Sequence, residues 1–528
     1  MSSSQQPSHL LEFFAQKRLS HALSTINDST TSVLIALLGA AIAAVLLLFP
    51  KSTAQKYVEN VPVIGGSDGD SIKKNRARFI HDSKSMLLEG YRQYSKTNRG
   101  MYYVPSKLGE RLMLPVKYLQ DLKSAPVDEV DFVATFIEMF EGEYTTMGSR
   151  STLHPRVVRG QLNRNLWTVM DHIQEEIKDA FDDSFPPCKD WTEVDVVDRM
   201  TQIVARVSSR MFGGTTLSRN KEWIQSSIDF AMDGFIGAQA LKKYPEFLKP
   251  LVARFTPAIR NIKNHYDAAE RAAIPLLRER AASGAAAPDL LCWMAEDAKG
   301  DEKDPAFLAG ILLKVSFAAI HTSAAAPTQL LYDLCDMPEY IEPLRREMEA
   351  NVDERGFLGR QGFQGLSKLD SIMKESQRFN PLLLITFERV ITKDYTLPDG
   401  LTIPANTTIG VPAHAISMDP EIFPEPEKFK GFRFDEMTST TSHDSRKEKA
   451  EPSVAFAAAH PASMAFGYGR HACPGRFFAS AEIKAIMVHL LMNYDFKFPK
   501  GQAERPPSLV FETQNLPNPA GRIMFKGR

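Results

Sequence analysis

The sequence is short of cysteine. It has four in 528 residues, Cys188, Cys292, Cys335 and Cys473, and no CxxC pair among them. So scattered a set excludes a disulfide framework and a cysteine-rich zinc site. Charge of one sign is missing too: 63 basic residues face 64 acidic ones, a formal net charge of −1. That excludes capture of nucleic acid by bulk charge, and no nucleic-acid partner is expected. There is no GxGxxG loop to cradle a dinucleotide, so electrons for any redox reaction must come from a separate protein. Internal repeats are absent as well. What is present is an apolar fraction of 43% with 9% aromatics, enough for a large core and against global disorder.

Long apolar runs are confined to one place. Val33 to Phe49 is 17 residues without a charge. As a helix it spans about 25 Å, and Thr30, Thr31 and Ser32 extend it toward the ~30 Å of a bilayer core. Thirty-two residues precede it, and Pro50 and Lys51 follow it rather than a small-residue cleavage site, which speaks against a cleaved signal. Lys51, Lys56, Lys73, Lys74, Arg76 and Arg78 outweigh Lys17 and Arg18, so the C-terminal side is expected in the cytosol. The expected organisation is a tail over 1–29, a single transmembrane anchor over 30–50, a hinge over 51–70 and one body over 71–528. In the body, helical periodicity dominates 160–350. Strand-like runs fall near 101–104, 112–115, 382–390 and 407–411, which makes the fold mainly α with small β-sheets. Residues 281–288 read as a linker and 436–452 as a solvated insertion.

The densest chemical signal is Phe466-Gly-Tyr-Gly469-Arg-His471-Ala-Cys473-Pro-Gly475. Glycines and a proline frame the cysteine, and an amphipathic stretch follows it. Cys473 therefore sits in a tight loop feeding a helix N-terminus, where backbone N–H groups favour a thiolate. The glycines let the loop lie flat against something large and close. Phe466, Gly469, Cys473 and Gly475 resemble the FxxGxxxCxG haem loop of the cytochrome P-450 family. The resemblance implies the cytochrome P-450 fold as a single haem domain, haem as cofactor and Cys473 as the axial thiolate of its iron. Such a thiolate pushes electron density onto iron and favours O–O cleavage. Where the family usually carries Arg two residues before the cysteine, this chain has His471 beside Arg470. Either is expected at a haem propionate.

Three further segments resemble the same family. Glu375 and Arg378 stand at i, i+3 on one helical face, like its ExxR pair. The Phe423–Phe434 segment resembles its meander, with Arg433 as third member of a structural charge network. Ala318-Ala-Ile-His321-Thr322-Ser323 resembles the helix over the haem. Thr322 aligns with the threonine that relays protons there, and His321 replaces an acid and is expected to relay protons as well. Pro327 is expected to kink that helix. Arg159 and Arg389 align with propionate-binding arginines.

The resemblance implies a monooxygenase drawing electrons from NADPH-cytochrome P-450 reductase, anchored singly in the endoplasmic reticulum membrane with its catalytic domain cytosolic. Arg470, Arg476 and Lys484 are candidates for docking the reductase. Tyr144–Pro155, Gly234–Phe255 and the apolar run Leu382–Thr386 are expected to line the pocket, which favours a bulky hydrophobic substrate. The wording of the motifs is most similar to fungal members that oxidise terpenoids, including the ent-kaurene oxidase type and enzymes of indole-diterpene clusters. Alternatives on the same fold are a polyketide or alkaloid substrate, or an isomerase or dehydratase that needs no dioxygen.

Overall fold

The computed structural model describes residues 57–66, 68–106, 109–441 and 455–528. The tail, the anchor, the first residues of the hinge and most of the 436–452 insertion lie outside the described residues. Residues 57–528 form one unit.

Helices arise where the apolar spacing is three or four. α1 (Gly69–Tyr94) begins after Asp68, whose carboxylate accepts the Ser71 N–H at 2.9 Å. The short α2 (Phe132–Met139) is capped by Asp131, which accepts from the N–H groups of Val133 and Ala134. α3 (Asn163–Ser184) buries Leu166, Val169, Met170, Ile173, Ile177, Ala180 and Phe181 as one stripe. It packs on α4 (Val196–Ser218), and α5 (Lys221–Leu241) packs on α6 (Pro257–Ser283). α7 (Pro305–Asp336) opens with proline in its first turn and the Asp304 carboxylate accepting the Ala306 N–H. α8 (Ser367–Phe379) and α9 (Arg476–Asn493) complete the framework.

α7 is apolar nearly all round because α4, α5, α6, α8 and α9 surround it. It is the one described helix long and apolar enough to cross a membrane, but those neighbours make it the central helix of the core. It runs unbroken past Pro327, so the expected kink does not divide it.

The strands build small sheets. The largest has the order β1 (Tyr102–Val104), β2 (Arg111–Met113), β8 (Thr407–Val411), β5 (Thr386–Ile391), β3 (Val130–Asp131), with β2 and β8 parallel. A second sheet joins β4 (Thr192–Asp195), β12 (Arg522–Gly527) and β9 (Tyr494–Lys497). β6 (Tyr395–Thr396) pairs with β7 (Thr402–Ile403), and β10 (Leu509–Phe511) with β11 (Gln514–Leu516). The fold is therefore mainly α with small sheets, as expected. Leu382–Ile385 is the exception to the expected strands: it precedes β5 as irregular chain, held where the Leu384 N–H donates to the Thr513 carbonyl at 2.8 Å.

Candidate active site

The Cys473 loop is shaped by its glycines. The Cys473 N–H donates to the Phe466 carbonyl at 2.8 Å, closing the loop on itself. Gly469 has φ +71°, and a Cβ there would stand 2.5 Å from Lys123 Cβ, so this turn has no room for a side chain. The Phe466 ring packs edge-on against Phe456, with centroids 5.4 Å apart. α9 then begins at Arg476, and the Arg476 Nη1 donates back to the Cys473 carbonyl at 2.9 Å. Burial pushes the Cys473 thiol up. The Gly475 and Arg476 N–H groups and the Arg476 charge pull it down, as a helix N-terminus should.

Beside this loop the structure brings together four residues that the sequence only aligned. Arg159 Nη2 donates to the Arg470 carbonyl at 3.0 Å. The His471 ring stacks on Phe132 of α2 at 5.2 Å, and the Arg389 guanidinium lies 4.7 Å from the same Phe132 ring. Burial, then Arg389, Arg159 and Arg470, push His471 down to about 4, so it is neutral at physiological pH. Burial likewise pushes Arg389 down to about 10, and its Nη1 bonds only the carbonyl of neighbouring Glu388. Three guanidiniums thus converge near Asp131, which Arg150 already engages at 2.9 Å, and near Glu388, which Arg111 engages at 3.2 Å. Such a cluster holds more positive charge than its carboxylates answer.

α7, which packs on α9 beyond the loop, presents an uncovered strip. Ala318 and Thr322, at i and i+4, are exposed in the middle of a helix that other helices surround. The Thr322 hydroxyl donates to the Ala318 carbonyl at 2.7 Å. His321 is directed elsewhere. Its Nε2 lies 3.1 Å from the Ile228 carbonyl of α5, and burial lowers its pKa and keeps the ring neutral. That bond commits Nε2–H to α5 and leaves Nδ1 as the nitrogen able to exchange a proton.

Glu375 is fully buried and holds two arginines. Arg378 reaches it through Nε and Nη2, both at 2.8 Å, and Arg433 Nε donates to its two oxygens at 3.1 and 3.2 Å. The three expected network residues therefore meet. Of the basic residues expected for docking, Lys484 is taken by Asp370 at 2.7 Å and is largely buried, which removes it from the free surface.

One acid escaped the reading of the sequence. Glu482 of α9 is fully buried, accepts from the Ser208 hydroxyl of α4 at 2.7 Å, and has Ser323 of α7 beside it. Burial pushes its carboxyl up to about 8, so it is a neutral acid joining three helices. The available signal was an acid between the buried Ala481 and Ile483 on an apolar stretch.

Residues 139–523 match the family model of the cytochromes P-450. The chain belongs to the cytochrome P-450 family. It is 35% identical over 476 residues to a cytochrome P-450 monooxygenase of Annulohypoxylon truncatum, covering 88% of this chain and 92% of the relative. It is 33% identical over 461 residues to an ent-kaurene oxidase of Gibberella intermedia, covering 86% and 85%. Retinoic acid-bound cyanobacterial CYP120A1 shares the fold, with a TM-score of 0.65 at 16% identity over 90% of this chain and all of that one. Cytochromes P-450 are haem-thiolate enzymes, so this P-450 is an oxidoreductase that binds haem. Its residues fit that group on two observations: the arginine cluster has an excess of positive charge that haem carboxylates would answer, and the uncovered Ala318–Thr322 strip would offer the ring a small-residue face.

Proposed function

We propose that this P-450 hydroxylates or further oxidises a bulky hydrophobic terpenoid, of diterpene or indole-diterpene type, in fungal secondary metabolism. The observation that carries the reading is the gathering of Arg159, Arg389 and His471 beside the Cys473 loop, and the uncovered Thr322 strip on the helix that packs against α9 supports it. The ent-kaurene oxidase among its relatives supports the substrate class.

In this reading the Cys473 thiolate would hold the haem iron, and Phe466 and Gly469 shape its loop. Arg159, Arg389, Arg470 and His471 hold the propionates, the arginines by charge and neutral His471 by packing and hydrogen bonding. When bound, haem supplies the activation of dioxygen and the oxidation of the C–H bond. Thr322 holds and passes a proton at Oγ1, whose link to the Ala318 carbonyl can exchange for one to a water. His321 steadies α7 against α5 and offers Nδ1 as a second proton-exchanging atom. Glu375, Arg378 and Arg433 keep the region behind the loop rigid. Electrons come from NADPH-cytochrome P-450 reductase, for which Arg470 and Arg476 are docking residues. Residues 30–50 anchor the protein in the endoplasmic reticulum membrane, joined by the 51–70 hinge to the haem domain over 71–528.

The test is a spin-shift titration of the expressed protein with diterpene hydrocarbons, indole-diterpenes and aromatic polyketides. Saturable high-spin conversion by a terpenoid is the expected result. A response confined to polyketides would overturn the substrate class, and a folded protein without a haem spectrum would overturn the role of Cys473.

A further inference from the structure

Away from the arginine cluster, the same sheet carries a second group of charges. Arg111 of β2 and Glu388 of β5 are 3% and 8% exposed, and Arg111 Nε lies 3.2 Å from Glu388 Oε1. Glu512, in the turn between β10 and β11, is 8% exposed. Glu138 comes from α2, and Lys242 caps the C-terminus of α5. The five feel one another: Glu138 interacts with Arg111, Lys242 and Glu388, Lys242 with Glu512 and Arg111, and Glu388 with Arg111 and Glu512. Phe235 of α5 packs edge-on against Phe511 of β10 at 5.5 Å, bringing the two walls together.

The group is not satisfied internally. Glu388 Oε1, Glu512 Oε1 and Arg111 Nε are all buried without a hydrogen-bond partner, because the Arg111–Glu388 contact is close but misaligned. Thr386 Oγ1, two residues before Glu388, is unpartnered too. Buried polar atoms are nearly always paired, and leaving them bare is costly. Burial pushes the Glu388 and Glu138 carboxyls up and the Lys242 amine down, as desolvation requires.

The group also lies on elements of the active site. α2 presents Phe132 to His471 and carries Glu138 six residues on, about 9 Å along its axis. β5 turns Arg389 to the Cys473 side and its neighbour Glu388 to Arg111. What is left over is an acceptor pair and a donor. A hydroxyl serves both, since it donates to a carboxyl oxygen while accepting from Arg111 Nε. An ammonium would donate only, and would meet Arg111 and Lys242 as like charges.

We propose that Glu388, Glu512 and Arg111 bind a hydroxyl at the far end of an otherwise apolar substrate, which holds the skeleton by that end with the other toward Thr322. The inference rests on the haem-pocket reading above. It places this oxidation after an earlier reaction that installs a hydroxyl on the skeleton.

The experiment is a spin-shift titration of the full-length protein in microsomes with a polycyclic diterpene hydrocarbon, its primary alcohol and the methyl ether of that alcohol. The alcohol is expected to bind at least about tenfold tighter than hydrocarbon or ether, one well-used hydrogen-bonding site being worth about 1.4 kcal/mol. Glu512→Gln and Glu388→Gln are each expected to shrink that preference several-fold while the hydrocarbon affinity and the carbon monoxide difference spectrum stay unchanged. Equal binding of alcohol, ether and hydrocarbon to the wild type would overturn the proposal, because water would then satisfy the site equally well. So would an alcohol preference untouched in both variants. Where a variant loses its carbon monoxide spectrum, the wild-type series decides. Loss of that spectrum in the folded wild type would count against the haem reading instead.

Discussion

Glu375 is a residue whose removal the fold should tolerate badly. It is a fully buried carboxylate answering two buried arginines, so Glu375→Ala strands two charges at once. Losing one partner of such a network costs about 3–5 kcal/mol. The expected outcome is a large fall in the denaturation midpoint with loss of the haem spectrum, read by thermal unfolding and carbon monoxide difference spectroscopy. Thr322 behaves oppositely: its side chain is exposed and bonds only its own helix, so Thr322→Ala should fold and hold haem normally. Product formed per NADPH consumed should then fall by about tenfold or more; unchanged coupling would remove Thr322 from proton delivery. Glu482 gives a prediction in pH. Its folded pKa, about 8, lies above that of an unfolded glutamate, so the unfolded state releases its proton first as pH rises. The stabilisation is full below the unfolded value near 4.3 and is lost progressively up to about pH 8, at most about 1.4 kcal/mol per pH unit. Against Glu482→Gln, which stays neutral throughout, the wild type should lose stability between those limits; parallel melting curves across that range would refute the assignment.

At the scale of elements, legibility followed locality. The Cys473 loop, the helix after it and the Glu375–Arg378 helix were readable because glycine spacing and i, i+3 placement are local properties. The strands at 102–104, 111–113, 386–391 and 407–411 were readable from short apolar, aromatic or β-branched runs. β4, β9 and β12 were not, because β12 finds its register with β4 from the far end of the chain: Phe525 faces Thr192. Leu382–Ile385 looked like strand by composition, but it makes only an isolated bridge, Leu383 to Gln514 at the start of β11, with the flanking Leu382 and Leu384 bonded to Asn515 and Thr513. The same distance hid the Arg111, Glu388 and Glu512 group, whose members are unremarkable singly. Pro327 costs α7 one hydrogen bond but not its continuity, which the packing of five neighbouring helices supports. The loop offers a sharp test. Gly469→Ala places a Cβ against Lys123 in a left-handed turn, so the loop must shift and haem retention on purification should drop while the far-ultraviolet spectrum stays native. Full haem retention would show that the turn is looser than its contacts imply.

For the whole molecule, residues 57–528 form one unit, and the proposed anchor lies before it. A chain starting at residue 57 should therefore leave the membrane fraction for the soluble one and keep its carbon monoxide spectrum. Continued sedimentation with membranes would move the anchoring surface onto the body itself.

The sheet of β4, β12 and β9 has a consequence for biosynthesis. β12 is made long after β4, and beyond it Arg528 donates its N–H to the Asn493 carbonyl. At ordinary rates of translation β4 waits tens of seconds for its partner. Until β12 emerges from the ribosome, β9, which continues from the helix after Cys473, has no strand to pair with. β4 and β9 therefore remain bare edges until then, and a rigid block joined at Arg528 would press on the strand that unites them.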